Sequence, residues 1–337
     1  MRKNVIPTVW LLVSGLALGQ TAGGGSEESS SREKLRAFFR NSEVTISVTD
    51  SGLGGLSIMA DAAARMKSAG IFRSVRFVFT NALFSSRGGY NTLKTREEKA
   101  AKLDEVLETI SARDHPDLIL IACNTLSVIY EATAFSKKVE APPVVPIVPA
   151  ATSLISACLQ EHPESAALLF GTPTTVSEGT YQKNLAAGGF SPGRVFTQAC
   201  PELEVFIERG ITAEETALLI DGFVEEALQQ LPMPKPPLLV SLNCTHYGYS
   251  LPFWEQALLR AGVRPLAILN PNSRMADILF PPEHMNRYQG TEVRAEIVSR
   301  VEIPETTVDS LSAWLEKVSP EVAQALRNHR RFVPGCR

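Results

Sequence analysis

The sequence predicts an α/β protein with two pseudo-symmetric domains, each a mainly parallel sheet flanked by helices, and a site in the cleft between them. Short apolar segments alternate with longer amphipathic ones along most of the chain, which is typical of parallel sheets covered by helices. Two of the short segments, "DLILIACN" and "PPLLVSLNC", are almost continuously apolar, as strands buried on both faces are. The length of 337 residues fits about two domains.

The first half of the chain predicts one strand–helix series. A short helical lead-in is expected at 33–40. Alternating or continuous apolar runs predict strands at 44–50, 75–81, 117–124 and 142–149. Apolar residues at helical spacing predict helices at 55–67, 95–114 and 125–134.

The second half repeats the same rhythm. Strands are predicted at 165–172, 193–200, 236–244, 264–272 and 295–303. Helices are predicted at 150–160, 175–189, 212–231, 251–262, 307–318 and 320–329. From this series we expect a first domain formed by 44–147 together with 262–337, and a second domain formed by 148–261.

The N-terminus predicts a signal peptide at 1–22. Arg2 and Lys3 precede an apolar stretch from Val5 to Leu18, and small residues follow. This stretch is too short to form a stable membrane span, which needs about 20 residues. The layout favours export to the periplasm, and a wrongly assigned start would place the protein in the cytoplasm instead. Residues 23–43 then form a linker, flexible at first, and the helical lead-in.

Composition excludes several classes of function. A net charge of −3 and the lack of a long basic run give no footprint for nucleic acid. The 5 cysteines occur at scattered spacings without a C-x-x-C pair, so they predict neither a disulfide framework nor a zinc site.

Cys123 ends a predicted strand and precedes a predicted helix. The positive end of a helix lowers the pKa of a thiol, so this placement suits a reactive cysteine. Asn124 and Thr125 add hydrogen-bond donors that would suit a carboxylate. A buried thiol that only packs is the alternative, because free cysteine is among the most buried residue types.

Cys244 has the same placement in "LNCTHYGYS". Thr245 supplies a hydroxyl, and His246 supplies a ring that can exchange protons with the thiol or with a substrate. Two such strand ends favour chemistry over packing. A disulfide between Cys123 and Cys244 stays open for an exported protein.

The stretch "TDSGLGGLSIM" joins a strand to a helix. Its glycines resemble a phosphate-binding turn, but the spacing is not that of a known phosphate loop, and tight backbone approach explains them equally well. Asp50 and Ser51 are placed to recognise an amino group or to assist a thiol. Parallel strands present their carboxyl ends to one crevice, so Asp50, Cys123, Thr172 and Cys244 are expected to converge.

Together, "DSGLGGL", "ACNT" and "NCTHY" resemble the cofactor-independent glutamate racemases of the aspartate/glutamate racemase superfamily. The three motifs occur in the family's order and at similar separations. The stretches "FGTPTTVSEGTYQ" and "TQACPELEVFIERG" also resemble the family's second domain. The resemblance covers about residues 44–280.

The resemblance implies that two thiols interconvert L- and D-glutamate without a cofactor or a metal. Cys123 and Cys244 would exchange the Cα proton, with Asp50 assisting the first thiol and His246 the second. The product would supply D-glutamate for peptidoglycan, and a homodimer is one option for the assembly. Substrate binding would fall to the remaining motif residues: Ser51, Gly89, Tyr90, Asn91, Asn124, Thr125 and Thr245.

Small differences within the superfamily favour glutamate. Aspartate and hydantoin racemases tend to carry Glu where this chain has His246, and arylmalonate decarboxylases lack the first cysteine. The chain departs from the family at Val148, Asn243 and Gly248. Two alternatives therefore stay open: a racemase of another amino acid such as aspartate, and a non-catalytic exported protein that binds acidic amino acids.

Overall fold

The computed structural model describes residues 25–85 and 88–332, with side chains from residue 32 onward. The predicted signal peptide lies outside these residues. Across the described part of the chain, no helix combines the length and the apolar character needed to cross a membrane.

The strands form two separate sheets in which every pairing is parallel. The strands in chain order are β1 Glu43–Asp50, β2 Ser74–Asn81, β3 Leu118–Ile121, β4 Val144–Pro146, β5 Ala166–Gly171, β6 Val195–Ala199, β7 Leu238–Asn243, β8 Ala267–Leu269, β9 Glu292–Ser299 and β10 Arg330–Arg331. The first sheet has the order β10-β9-β2-β1-β3-β4, and the second has the order β6-β5-β7-β8. The predicted α/β class with two helix-flanked parallel sheets is confirmed.

Helices connect these strands. In chain order they are α1 Gly25–Arg40, α2 Leu56–Ala69, α3 Arg96–Asp114, α4 Asn124–Ser127, α5 Ile147–Glu161, α6 Pro173–Ser177, α7 Thr180–Ala187, α8 Leu203–Arg209, α9 Glu214–Gln229, α10 Leu251–Arg260, α11 Pro271–Asp277, α12 Glu305–Leu315 and α13 Pro320–Arg327. The start of α3 is capped well: Thr95 accepts from the backbone of Glu98, whose carboxylate accepts from the backbone of Thr95.

Three local expectations were wrong. Helix α1 begins at Gly25, inside the predicted flexible spacer. The predicted helix at 125–134 is only α4, followed by two short 3-10 turns. The predicted helix at 175–189 is interrupted at Gly179, whose left-handed φ of 62° ends one helix and begins the next.

The strand pairings refine the expected division of the chain. We expected residues from 262 onward to belong with the first domain, but β8 pairs with β7 in the second sheet. Only β9 and β10 return to the first sheet, where β9 pairs with β2 over its whole length. The apolar run in β8 is the same whichever sheet it joins, so the pattern alone did not decide the pairing.

The arrangement brings four strand ends to the boundary between the sheets. Strands β1 and β3 of the first sheet end next to Ser51 and Cys123, and β5 and β7 of the second end next to Thr172 and Cys244. Behind the second sheet, the ring of Trp254 packs within 4.7 Å of Phe170 and 5.3 Å of Tyr247, measured between ring centroids. This packing anchors the turn that follows Cys244.

Candidate active site

Asp50 joins the two halves of the site. Its carboxylate lies at the end of β1, is buried, and accepts a 2.6 Å hydrogen bond at Oδ2 from the backbone amide of Gly55. The hydroxyl of Thr245, which follows β7, donates a 2.7 Å hydrogen bond to the same oxygen. The second oxygen, Oδ1, is buried and has no hydrogen-bond partner among the described residues. It is therefore an acceptor available to a bound cationic group.

The glycines of "DSGLGG" allow this close approach. A Cβ at Gly54 would stand 2.3 Å from the hydroxyl of Thr245 and 2.6 Å from Nδ1 of His246. A Cβ at Gly52 would stand 2.7 Å from the carboxylate of Glu208. Of the two interpretations of these glycines, the structure supports tight approach between the two domains.

Cys123 lies at the start of α4, where the sequence placed it. Its Sγ is 3.1 Å from the hydroxyl oxygen of Ser51, within hydrogen-bond distance. Burial and the negative charge of Asp50 raise the pKa of this thiol, and the contact with Ser51 opposes the rise only in part. The pKa lowering expected from the helix end is wrong for this structure, because α4 has only 4 residues and burial outweighs its dipole.

Cys244 lies beside the histidine that follows it. The distance from Sγ to Nδ1 of His246 is 3.6 Å, and Nε2 of the same ring is 2.7 Å from Oε1 of Glu208. Burial, followed by the charge of Glu204, raises the pKa of the Cys244 thiol well above its ordinary value. The chain Cys244–His246–Glu208 is thus a hydrogen-bonded path along which a proton can move.

Electrostatics raise the affinity of the His246 ring for a proton. Burial alone would lower the pKa of His246, but its hydrogen bond to Glu208 and the charges of Glu208, Asp50 and Glu204 raise the pKa overall. The ring is therefore a good acceptor for the thiol proton of Cys244.

Helix α8 contributes two acidic residues that the sequence analysis did not identify. Glu208 contacts His246 and also accepts a 2.7 Å hydrogen bond from the backbone amide of Leu53. Glu204, one turn earlier on the same face, accepts a 3.1 Å hydrogen bond from Nδ2 of Asn91. Acidic residues spaced four apart directly after "TQACP" were the available signal, because that spacing places both on one helix face.

The residues after Cys123 form a second polar group. The hydroxyls of Thr125 and Thr172 lie 2.8 Å apart, which links α4 of the first domain to α6 of the second. Oδ1 of Asn124 accepts a hydrogen bond from the hydroxyl of Tyr181. Its amide nitrogen, Nδ2, is buried without a hydrogen-bond partner in the described part of the chain, and it can donate to a ligand.

Of the predicted segment Gly89–Asn91, Tyr90 and Asn91 reach the site. Tyr90 is buried, and its hydroxyl has no hydrogen-bond partner among residues 25–85 and 88–332. Burial raises the pKa of this hydroxyl, the charge of Arg300 opposes the rise in part, and a charge on Cys123 adds to it. Asn91 bridges to the second domain, because its Oδ1 accepts from the amide of Thr174 at 3.3 Å while its Nδ2 donates to Glu204. Gly89 packs against Leu83 instead, and a Cβ there would stand 2.9 Å from that side chain.

The three departures from the family pattern lie at buried or crowded positions, and neither polar atom of the Asn243 side chain has a hydrogen-bond partner among the described residues. Val148 is buried in the first turn of α5, and Asn243 is buried at the end of β7. A Cβ at Gly248 would stand 2.4 Å from the amide of Asn270, so the side chain of Asn270 occupies the space next to this glycine.

The two thiols belong to one cluster. Ionisation of Cys123 is among the charges that raise the pKa of Cys244, and each side chain is only 5% exposed. Both are free thiols, so the disulfide left open above is not formed in this structure. Within the described ranges, no three His, Cys, Asp or Glu side chains group as ligands for a metal ion.

Comparisons with known proteins find one family and several relatives that this chain resembles. The Asp/Glu/Hydantoin racemase family matches residues 70–233. A glutamate racemase of Granulibacter bethesdensis is 30% identical over 240 residues, which cover 71% of this chain and 78% of that protein. A glutamate racemase of Aquifex pyrophilus is 27% identical over 203 residues, covering 60% of this chain and 70% of the relative.

The solved structures agree in fold. The glutamate racemase of Francisella tularensis, crystallised in complex with D-glutamate, superposes with a TM-score of 0.61 at 19% sequence identity and covers 86% of this chain and 97% of its own. Because a relative at 30% identity is matched over 78% of its length, this chain belongs to the Asp/Glu/hydantoin racemase family of isomerases.

Proposed function

We propose that the protein interconverts L- and D-glutamate by exchanging the Cα proton between Cys123 and Cys244. The observation that carries this proposal is the pair of buried thiols at two strand ends, one next to Ser51 and the other next to His246. The names of the matched relatives support glutamate as the substrate.

Inversion of a stereocentre needs a base on one face and an acid on the other. One cysteine, as thiolate, takes the proton from Cα, and the electron pair is delocalised into the α-carboxylate. The other cysteine, as thiol, delivers a proton to the opposite face of Cα. The substrate keeps its atoms and charge, while the two sulfurs exchange protonation states.

The surroundings of Cys244 suit formation of the thiolate. Burial keeps both thiols protonated before substrate binds. The proton of Cys244 can pass to Nδ1 of His246, whose raised pKa and contact with Glu208 stabilise the imidazolium. A thiolate beside an imidazolium is a base strong enough to act on an acidic carbon when the pair is shielded from water.

The surroundings of Cys123 suit the opposite state. The negative charge of Asp50 and burial both hold this group as a neutral thiol, ready to donate. In the reverse direction the hydroxyl of Ser51 offers the thiolate a hydrogen bond. Both cysteines therefore start as thiols, and they differ in the neighbouring group: His246 can take the proton of Cys244, whereas Ser51 offers Cys123 only a hydrogen bond.

Unpartnered polar atoms around the thiols match the groups of an acidic amino acid. Oδ1 of Asp50 is an acceptor that suits the substrate ammonium group, whereas Nδ2 of Asn124 and the hydroxyl of Tyr90 are donors that suit carboxylates. The hydroxyls of Thr125 and Thr245 lie in the same cluster. Substrate binding would give each buried group the partner that it lacks within the described residues.

Because both thiols are buried, substrate must reach them through an opening of the two domains. The contacts that would separate are the hydrogen bonds that cross the boundary, such as Thr245–Asp50 and Thr125–Thr172. Closure then removes water from around the carbanion. In the cell, the product would serve as the D-glutamate of peptidoglycan.

The test is direct assay of the purified protein with L-glutamate, in reducing agent, by the decay of the circular-dichroism signal. We expect decay to zero with wild type and with the control variant Cys158→Ser, and decay that is slower by about 10²–10⁴-fold with Cys123→Ser or Cys244→Ser. Failure of wild type to racemise glutamate would contradict the proposal. Decay with aspartate alone would assign a different substrate, and calorimetric binding of glutamate without decay would assign a binding protein.

A further inference from the structure

Glu204 carries a largely buried carboxyl group, and one of its oxygens has no hydrogen-bond partner among the described residues. The reaction described above does not use Glu204. It lies in the first turn of α8, and Oε1 accepts the 3.1 Å hydrogen bond from Nδ2 of Asn91. The other oxygen, Oε2, is buried and has no hydrogen-bond partner in the described ranges. One oxygen is therefore held in place from the first domain, and the other is available.

Glu204 faces the Cys244 side of the site. After burial, its charge is the largest cause of the raised pKa of the Cys244 thiol, so the carboxyl lies close to that sulfur. The titratable groups around it come from three elements. Cys244, His246 and Tyr247 follow β7. Glu208 lies on the same helix, and Cys200 follows β6. Asn91 faces Glu204 from the first domain as a neutral donor.

The charge state of Glu204 follows from this setting. Burial is the largest cause that raises the pKa of Glu204, and the charge of Glu208 adds to the rise. A hydrogen bond from its own backbone amide, the charge of His246 and the hydrogen bond from Asn91 oppose the rise only in part. The carboxyl therefore keeps its proton to a higher pH than an exposed glutamate. Because Oε1 already accepts from Asn91, Oε2 is the oxygen that can carry the proton and donate it in a hydrogen bond.

We propose that Glu204 is a specificity-determining residue that, as a neutral acid, donates a hydrogen bond from Oε2 to a carboxylate of the substrate beside Cys244. This inference rests on the proposed function. It explains how the site can bind an acidic substrate next to an acidic side chain. An ionised Glu204 would repel that carboxylate. The neutral carboxyl group of Glu204 does not repel the substrate carboxylate and instead donates a charge-assisted hydrogen bond to it.

Two consequences follow for pH dependence. As the pH rises through the raised pKa of Glu204, the side chain ionises and loses the proton it donates. Binding of an acidic substrate then weakens, and KM rises. In the same range, the new charge further disfavours the thiolate of Cys244. Both effects lower kcat/KM on the alkaline side.

The variant Glu204→Gln separates these effects from a structural role. Its amide oxygen can still accept from Asn91, and its amide nitrogen can still donate to the substrate, but it does not ionise. Over a pH range that extends from neutral into alkaline solution, we expect KM of wild type to rise and KM of Glu204→Gln to stay level. Glu215→Gln, the same change on the exposed face of α9, should keep the wild-type profile. A wild-type rise retained in Glu204→Gln overturns the proposal.

Calorimetry of glutamate binding to wild type, in two buffers of different ionisation enthalpy, gives a second measurement that needs no variant. We expect net proton uptake on binding on the alkaline side of the range, and loss of that uptake in Glu204→Gln. Binding without proton uptake contradicts the role of Glu204 even when racemisation is observed. Proton uptake without racemisation supports the role of Glu204 and contradicts the proposed function instead, and absence of binding contradicts both.

Discussion

The hydroxyl of Thr245 donates a 2.7 Å hydrogen bond to the Asp50 carboxylate across the boundary between the two domains. Asp50 ends β1 of the first sheet, and Thr245 follows β7 of the second. The backbone carbonyl of Thr245 also accepts a 3.0 Å hydrogen bond from Nδ2 of Asn272, which fixes the turn. The contact between Thr245 and Asp50 fixes the position of the carboxylate, whose negative charge adds to burial in raising the pKa of both Cys123 and Cys244.

Replacement of Thr245 by Val tests this contact. The change keeps the shape of the side chain but leaves a buried carboxylate with one hydrogen bond fewer. We expect the free energy of unfolding to fall by about 1.5–3 kcal/mol, the usual range for a hydrogen bond to a charged group. Chemical denaturation measures this, with Thr109→Val as control.

Thr109 is partly exposed on α3, and its hydroxyl donates a hydrogen bond to the carbonyl of Glu105 in its own helix. Its replacement should change stability by no more than about 0.5 kcal/mol. Equal losses in the two variants would show that the Asp50 contact contributes nothing beyond an ordinary surface hydroxyl.

A methyl group at Gly54 should disturb both domains at once. The added Cβ would stand 2.3 Å from the hydroxyl of Thr245 and 2.7 Å from the backbone nitrogen of His246, and backbone cannot move aside easily. We expect Gly54→Ala to lower the free energy of unfolding by about 1–3 kcal/mol, as other overpacked sites do. Activity should fall further than stability explains, because the displaced atoms belong to the Cys244 side of the site.

The matched control is Gly222→Ala. Gly222 lies within helix α9, and a Cβ there would have no atom within 4 Å. Alanine is the better helix former by about 1 kcal/mol, so this variant should gain stability. A Gly54→Ala protein that is as stable and as active as wild type would refute the close approach described for this loop.

The pH dependence of stability should report on the pair His246–Glu208. The pKa of His246 is raised in the folded protein, so its contribution to stability is complete below the ordinary histidine value of about 6.5. That contribution is lost as the pH rises through the raised pKa. In Glu208→Gln the main cause of the rise is removed, and we expect the loss to become smaller and to occur at lower pH.

Denaturation curves measured across the neutral range, together with the NMR titration of the His246 ring, check this expectation. The ring signal can be assigned by its absence in His246→Asn. An unchanged ring titration in Glu208→Gln would mean that Glu208 does not set the charge of His246.

Much of the fold and site could be predicted because local patterns specify them. The apolar runs before Asp50, Cys123 and Cys244 require buried strands, and parallel strands bring their carboxyl ends to one edge. The order of the three motifs along the chain predicted that the candidate residues lie near one another. In the structure, Ser51 contacts Cys123 and His246 contacts Cys244.

Features that depend on long-range packing were not predictable in the same way. Glu204 and Glu208 reach the site only because α8 packs against the turn after Cys244, and no pattern within α8 states its partner. The pairing of β8 with β7 likewise depends on which sheet edge is free. Burial reversed the expected pKa change at Cys123, because desolvation is a property of the whole surroundings and not of the neighbouring helix.

The most direct test of two-thiol proton exchange is the incorporation of deuterium at Cα in deuterated water, starting separately from L- and D-glutamate. We expect wild type to return both enantiomers carrying deuterium at Cα. Cys123→Ser and Cys244→Ser should each lose about 10²–10⁴-fold in the rate of inversion, the usual effect of removing a general acid or base. Inversion at the wild-type rate in either variant would contradict the central claim that both thiols carry the proton.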